Sequence, residues 1–288
     1  MKKRVALITW SGLPEGAESE QMLLPHLAAG GVETYIIDWR SANVNFSEFD
    51  LVVLRSCWDY HLRGGEFTEW LRRTANTVPV LNEVKTVLWN RNKLYLRELA
   101  ATGIEIAPTV FVNGSGPIAS SAWQEIRSWK KSVVKPAVSA SAHKTWVFDR
   151  AAAPGEDELK NKMEAQPFLI QQFIPEIETH GEISFIYIDG AYSHAVLKRP
   201  AKGDFRVQKE HGGSAELFHP SAALLDQANQ IAATVSQVRD SLYCRIDAVA
   251  RDGRLVLMEL ELIEPELFLG LAEGAAERFA GAIVRRVK

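Results

Sequence analysis

Short apolar runs alternate with segments of helical spacing over the first hundred positions. Residues 5–10 are almost wholly apolar and read as a buried strand. A Gly/Pro-containing loop, residues 11–16, follows. Residues 20–29 carry Met22, Leu23 and Leu27 at helical spacing; Pro25 is expected to kink or delay that helix and Gly30-Gly31 to stop it. Residues 32–38 and 51–54 read as further strands, 67–73 as helix and 78–81 as a fourth strand. This alternation predicts a parallel sheet with helices on its faces, and ligands of such sheets sit off the carboxyl ends of the strands. The loop Arg55-Ser56-Cys57-Trp58-Asp59-Tyr60 occupies that place.

The pattern then changes. Residues 92–101 read as a helix capped by Gly103 in a left-handed conformation. A stretch rich in Gly, Ser and Ala at 113–121 reads as a linker or turn, and 132–136, 145–148 and 168–173 read as strands. Asp189-Gly190 between two apolar runs (182–189 and 191–198) is a hairpin signal, as is Asp252-Gly253 between 243–250 and 255–262. Residues 221–238 read as one helix. The second half is therefore α+β with antiparallel hairpins, distinct from the first.

Composition narrows the classes. The chain has 288 residues, 47% hydrophobic and 24% charged, with a net charge of -3. That excludes a disordered chain and a collagen or disulfide scaffold, and argues against a nucleic-acid binder dominated by phosphate contacts. No apolar run is long enough to span a bilayer. Basic residues precede the first apolar run, but that run is too short for a signal peptide, so a cytoplasmic protein is expected. Cys57 and Cys244 are too far apart in sequence for a paired metal motif and read as free buried thiols. There is no G-x-G-x-x-G, no P-loop, no H-E-x-x-H and no G-x-S-x-G.

The strongest chemical signal is Asp247 with Glu259-Leu260-Glu261. Residues two apart on a strand share a face, so Glu259 and Glu261 point one way with Leu257, and Met258, Leu260 and Leu262 the other. Two carboxylates on an apolar strand need a cation, such as Mg²⁺, unless the strand is a half-exposed edge with solvated glutamates. Asp247 joins their face only if facing residue numbers sum to an even number. A two-residue Asp252-Gly253 turn gives an odd sum. A three-residue loop, 251–253, with Gly253 in a G1 bulge gives the required parity and is the expectation.

Lys135 lies inside an apolar strand and needs an anionic partner. The small residues after it, 137–142, can form a mobile phosphate-binding flap or a plain Ser/Ala turn. Lys93 reads as a phosphate-binding or a solvated lysine. The stretch 198–209 holds Lys198, Arg199, Lys202, Arg206 and Lys209, an anion clamp, a nucleic-acid patch or a solvated loop.

In order along the chain, several pieces together resemble the ATP-grasp ligases, most of all their glutathione-synthetase-like and RimK-like members. These are Arg55–Tyr60, Trp89-Asn90-Arg91-Asn92-Lys93, Val133-Val134-Lys135-Pro136-Ala137-Val138-Ser139-Ala140, Gln171-Gln172-Phe173-Ile174-Pro175 and Glu182. They continue with Asp204-Phe205-Arg206-Val207-Gln208, Gly212-Gly213, Arg245-Ile246-Asp247 and Glu259-Leu260-Glu261. The Arg-Ser-x-Trp-Asp-Tyr and Lys-Pro-Ala-Val-Ser-Ala pieces look most like the ureidoserine cyclo-ligase branch.

The resemblance implies an α/β ATP-grasp fold: a Rossmann-like parallel-sheet domain at 1–88, then two α+β subdomains at 89–170 and 171–288 that clasp ATP. It implies that Lys93, Lys135, Ser139, Ser141, Gln171, Phe173, Ile174, Glu182 and Lys198 bind ATP, with Phe173 and Ile174 meeting adenine through backbone groups. Asp247, Glu259 and Glu261 would hold Mg²⁺, two ions replaceable by Mn²⁺. Arg206 would be catalytic, and Arg55, Ser56, Asp59, Tyr60 and Gln208 would bind substrate. The implied activity is ATP- and Mg²⁺-dependent activation of a small carboxylate as an acyl phosphate for attack by an amine-type nitrogen, within one substrate or between two. A homodimer is compatible with it; nucleic-acid and membrane partners are not expected. A nucleotide-binding regulatory module without ligase activity is the alternative. Two positions depart from the family: the flap at 139–144 lacks glycine, and Glu261 stands where asparagine is frequent.

Overall fold

The computed structural model describes residues 2–114 and 116–287 and contains three sheets. The first is parallel, in the order β2-β1-β3-β4, from β1 (Lys3–Thr9), β2 (Val32–Asp38), β3 (Leu51–Leu54) and β4 (Val80–Leu81). Val5, Leu7, Leu51 and Val53 pack on one face, and Ala6, Ile8, Val52 and Leu54 on the other. The helix Glu18–Ala29 covers the first face and the helix Gly64–Ala75 the second.

The helix Glu18–Ala29 does not wait for Pro25. It starts seven residues earlier, where Glu20 Oε2 accepts the Ala17 N–H at 2.7 Å, and continues through the proline to Ala29. Leu23 and Leu27, fully buried against the sheet, hold it there despite the missing backbone donor. The last helix, Ala275–Arg286, lies beside it in the same layer. The close approach needs Gly30, where a Cβ would lie 2.7 Å from Val284 Cγ2.

The second sheet is antiparallel, in the order β5-β8-β6-β7, from β5 (Thr109–Val112), β6 (Lys131–Pro136), β7 (Trp146–Asp149) and β8 (Phe168–Gln172). The expected linker at 113–121 includes Ser115, outside the described residues, and its last two positions begin the helix Ser120–Ser128. The third sheet, β11-β10-β9-β12-β13, is also antiparallel, from β9 (Glu182–Ile188), β10 (Ala191–Arg199), β11 (Ser214–Phe218), β12 (Tyr243–Arg251) and β13 (Arg254–Glu261). The helix expected over 221–238 is broken: Ala222–Thr234 ends at Val235, which is extended, and Ser236–Asp240 restarts.

The β12–β13 hairpin corrects one expectation and keeps its consequence. Its turn is the two-residue Asp252-Gly253, both at positive φ (50° and 75°), with Arg251 opposite Arg254. That register alone would set Asp247 against the wrong face. The register shifts at Met258, an extra residue between the pairs Ala248–Leu257 and Asp247–Glu259. Parity is thus restored by a bulge inside the strand and not at the turn. The faces change with it: Leu257 packs in the core with Leu260 and Leu262, while Met258 joins Glu259 and Glu261 on the cleft wall.

β13 is an edge strand, and side chains from the preceding segment take up its outer edge. Asn90 Nδ2 donates to the Leu260 carbonyl (2.7 Å) and Asn90 Oδ1 accepts the Leu262 N–H (2.8 Å). The Tyr95 hydroxyl donates to the Leu260 carbonyl (2.9 Å) and accepts its N–H (2.8 Å). Asn82, wholly buried, donates to the Leu262 and Tyr243 carbonyls (2.7 and 2.9 Å) and accepts the Leu242 N–H (2.8 Å). An Asn82→Ala chain orphans three buried backbone groups, each costing about 1–3 kcal/mol. Urea denaturation is expected to show a loss of about 3 kcal/mol or more, with the m-value retained.

Candidate functional site

A cleft of about 1000 Å³ lies where the second and third sheets face each other, and reaches the carboxyl ends of β1 and β3. Strand alternation decides which side chains enter it. On β6, Ser132 and Val134 are buried, Val134 in the core of its own sheet, so Val133 and Lys135 face the cleft. On β9, Ile183, Phe185 and Tyr187 enter the core, leaving Glu182 and Ser184 on the other face. Lys198 stands opposite Glu182, Asp247 opposite Ser184 and Glu259, and Arg245 opposite Glu261. Cations and carboxylates therefore meet across the strands.

The resulting ion pairs are buried around Lys198 and Asp247 and half-buried at Glu259 and Glu261. Lys198 Nζ lies 2.5 Å from Glu182 Oε1 and 3.2 Å from Asp247 Oδ1. Arg245 holds Asp247 at 2.9 Å and also pairs with Glu261. Lys93 Nζ pairs with Glu259 Oε1 at 2.8 Å and donates to the Ser139 carbonyl at 2.7 Å. Burial pushes the Asp247 carboxyl up, but Arg245 and Lys198 outweigh it and hold it well below the usual range. Glu259 is held down in the same way by Lys93 and Lys135. Burial, with Asp247 and Glu259 nearby, raises Glu261 to about 7 against the pull of Arg245. Burial, with Glu261 and Glu259 close, raises Glu264 well above its ordinary value. Lys135 is lowered to about 8, by burial and then by Lys93.

Of the expected nucleotide contacts, Lys93, Lys135, Ser139, Ser141, Gln171, Phe173, Ile174, Glu182 and Lys198 all line this one cleft. Gln171 is anchored by its Nε2 on Thr109 Oγ1 (2.9 Å). Hydrogen bonding within the chain narrows the backbone groups that Phe173 and Ile174 can offer. Its N–H is spent on the Lys131 carbonyl (3.0 Å), and the Ile174 carbonyl accepts from Ile177 (3.1 Å), which leaves the Phe173 carbonyl and Ile174 N–H for a ligand. Residues 139–144 achieve without glycine what glycine usually permits: Ser141, Ala142 and Lys144 have φ of 49°, 52° and 53°. Such conformations cost non-glycine residues about 1 kcal/mol or more each. Tertiary contacts offset that cost. Ala140 packs against the core on one face of the parallel sheet, His143 lies 5.2 Å from His61 ring to ring, and Lys144 pairs with Glu164 at 2.5 Å.

Arg206 and Gln208 line the cleft; Arg206 is pinned by Asp204 at 2.7 Å. The loop after β3 divides. Tyr60 lines the cleft, but Arg55, Ser56 and Asp59 do not. Arg55 is 2% exposed, paired with Glu20 at 3.1 Å and set over the rings of Tyr243 and Phe279. Ser56 donates to Thr9 Oγ1 (3.1 Å), and Asp59 accepts from the Trp39 indole (2.8 Å). All three turn inward and support the loop. Trp58, part of the same loop but not singled out among the expected substrate contacts, stands on the cleft wall. Arg245 was also missed, although it lies two residues before Asp247 and so shares its face. Glu264, Glu266, Phe268 and Leu271 complete that end of the cleft.

Among the described residues no three His, Cys, Asp or Glu side chains converge as a preformed metal cage. The donors nevertheless fit a hard cation that completes its shell with phosphate oxygens, since Glu259 and Glu261 each use only Oε1 in their ion pairs. Asp247, the third expected ligand, stands behind them: it is 2% exposed, off the cleft wall, and its oxygens accept from Arg245, Lys198 and Ser184.

Comparison with known proteins gives the family. Residues 132–265 match the model of the RimK-like ATP-grasp domain, and residues 5–82 that of the N-terminal domain of D-cycloserine synthetase DcsG. The cycloserine biosynthesis protein DcsG of Streptomyces lavendulae is 30% identical over 275 residues, covering 90% of each chain. This chain belongs to the ATP-grasp ligases. It is accordingly an ATP-dependent C–N ligase, of a family that uses ATP and Mg²⁺. The crystal structure of D-cycloserine synthetase DcsG superposes with a TM-score of 0.87 at 26% identity, over 99% of this chain and 100% of that one. A glutathione synthetase of Bradyrhizobium diazoefficiens is 34% identical over 87 residues, 29% of this chain and 26% of its own. A D-alanine–D-alanine ligase from Bacillus anthracis, at 17% identity and TM-score 0.68 over 99% of this chain and 97% of that one, shares the fold. Both cysteines are free and buried, as expected, and no described helix is long and apolar enough to cross a membrane.

The buried ion pairs make a stability prediction. A Lys198→Met chain leaves Glu182 and Asp247 short of a cation, and breaking such a pair costs about 3–5 kcal/mol. Equilibrium denaturation at neutral pH is expected to show a loss of that order, and lowering the pH, which protonates the orphaned carboxylates, to shrink the gap.

Proposed function

We propose that the cleft converts a small carboxylate to an acyl phosphate and passes the acyl group to an amine-type nitrogen. Ring closure within one substrate is the favoured case. One observation carries the reading: Lys93, Lys135, Arg245, Glu259 and Glu261 line a single cleft crossed by the segment 139–144. The ring-closing case is supported by the likeness to DcsG over the whole chain.

A carboxylate cannot expel oxide, so an oxygen of the substrate carboxylate first attacks the γ-phosphorus of ATP and ADP leaves. The nitrogen then adds to the acyl carbon, phosphate departs with the activated oxygen, and the nitrogen loses its proton. Lys93 and Lys135 would hold the phosphates, a reading supported by the fixing of Lys93 on Glu259 and the Ser139 carbonyl. Gln171, Phe173 and Ile174 would bound the base, and Glu182, beside Lys198, would accept from the ribose. Glu259 and Glu261 would hold Mg²⁺, which neutralises developing phosphate charge; Asp247 acts behind them by fixing Arg245. Arg245 and Arg206 supply the positive charge that meets the acyl oxygen and the transferred phosphoryl group. The segment 139–144 keeps water from the acyl phosphate. The setting we propose is the cytoplasm, with small-molecule substrates.

Glu259→Gln keeps the shape and removes a charge. ADP release in the presence of Mg²⁺ and O-ureidoserine is expected to fall about 100-fold or more, a magnitude typical of losing one electrostatic stabiliser. ATP binding without carboxylate-stimulated turnover in the unsubstituted chain would instead favour the regulatory-module reading. Lys135 adds a pH dependence. Phosphates favour its charged form, so nucleotide binding raises its pKa from about 8 and takes up a proton. The affinity for a non-hydrolysable ATP analogue is expected to fall as pH rises from 7.5 to 9.5, and Lys135→Met to flatten that slope.

A further inference from the structure

Glu264 lies on the cleft wall three residues beyond Glu261 and, half-buried like Glu259 and Glu261, differs from the partnered acids beside it. Glu182, Asp247, Glu259 and Glu261 have cationic partners, and Glu266 accepts from Ser19 and from the Phe268 N–H. Among the described residues the Glu264 side chain has no hydrogen bond or ion pair. Its backbone, by contrast, is pinned at three successive carbonyls. Tyr243 donates its hydroxyl to Ile263 (2.7 Å), the Trp58 indole N–H donates to Glu264 (3.0 Å), and Arg55 Nη2 donates to Pro265 (3.1 Å). A half-buried carboxyl on the cleft wall, its backbone held this firmly and its side chain left without a partner, is placed to accept a positive charge from a ligand. The cleft wall beside it carries Trp58 and Tyr60, and aromatic faces favour an organic cation.

We propose that Glu264 is the specificity residue for a protonated amino group on the carboxylate substrate. This deepens, and rests on, the ligase reading above. The substrate's carboxylate would lie toward Arg245 and its ammonium toward Glu264, with the two protein groups reading opposite ends of one small zwitterion. Arg55, turned away from the cleft, serves this position by fixing the Pro265 carbonyl.

The test is calorimetric titration of the chain saturated with AMP-PNP and Mg²⁺, using D-serine against D-glycerate and L-serine against L-glycerate. Each pair differs only by amino for hydroxyl. At least one serine is expected to bind ten-fold or more tightly than its glycerate. Glu264→Gln is expected to abolish that preference while leaving AMP-PNP affinity unchanged, which also reports an intact fold. Equal binding within both pairs, no binding of any of the four, or a preference that survives Glu264→Gln overturns the proposal. So does a Glu264→Gln chain whose chief defect is a weaker Mg²⁺ requirement for AMP-PNP, which would make the residue a metal ligand. Failure of the unsubstituted chain to bind AMP-PNP would overturn the ligase reading itself, a different and separable result.

Discussion

The outer edge of β13 has to be satisfied without another strand, and much of the molecule is arranged to do it. An open strand edge presents N–H and C=O groups that need partners once water is excluded. Asn82, Asn90 and Tyr95, from the segment between the parallel sheet and the second sheet, supply them around Leu260 and Leu262. Because these contacts are directional, they also fix where Glu259 and Glu261 stand. Lys93 lies between Asn90 and Tyr95, so the segment that seals the edge also carries the lysine that meets Glu259. Sealing the edge and building the cleft are one structural act.

The cleft wall is a second expression of the same economy. Four strands place Glu182, Lys198, Asp247, Arg245, Glu261 and Glu259 within reach of one another, so that buried charges neutralise each other instead of requiring water. A net charge of -3 for the chain says nothing of this, because both signs are concentrated in the same place. The cost of assembling them is desolvation, and the gain is a set of charges already oriented before any ligand arrives.

Much of the fold could be read from periodicity. The strands 32–38 and 51–54 fall where apolar runs place them, and both Asp-Gly hairpins form. What escaped depends on tertiary contact. The bulge at Met258 leaves no compositional mark, since methionine suits either face of a strand. The helix through Pro25 survives on the packing of Leu23 and Leu27, which propensity does not count. At the site, the lysines and glutamates were visible as charges inside apolar strands, where charge demands a reason. Arg55, Ser56 and Asp59 show the converse. Their loop lies at the carboxyl end of a strand, yet whether a side chain turns outward or inward there is settled by partners remote in sequence: Glu20, Thr9 and Trp39. Glu264 offered no pattern at all, because its meaning lies in a partner that is missing.

The last helix, Ala275–Arg286, covers the same face of the parallel sheet as the helix Glu18–Ala29. During synthesis this means that the earliest part of the chain to emerge cannot bury its own apolar surface. Leu7, Val53, Leu23 and Leu27 wait for Phe279 and Ile283, more than two hundred residues later. The parallel sheet is therefore begun first and finished last, and the two later sheets are enclosed in sequence within a unit that closes around them.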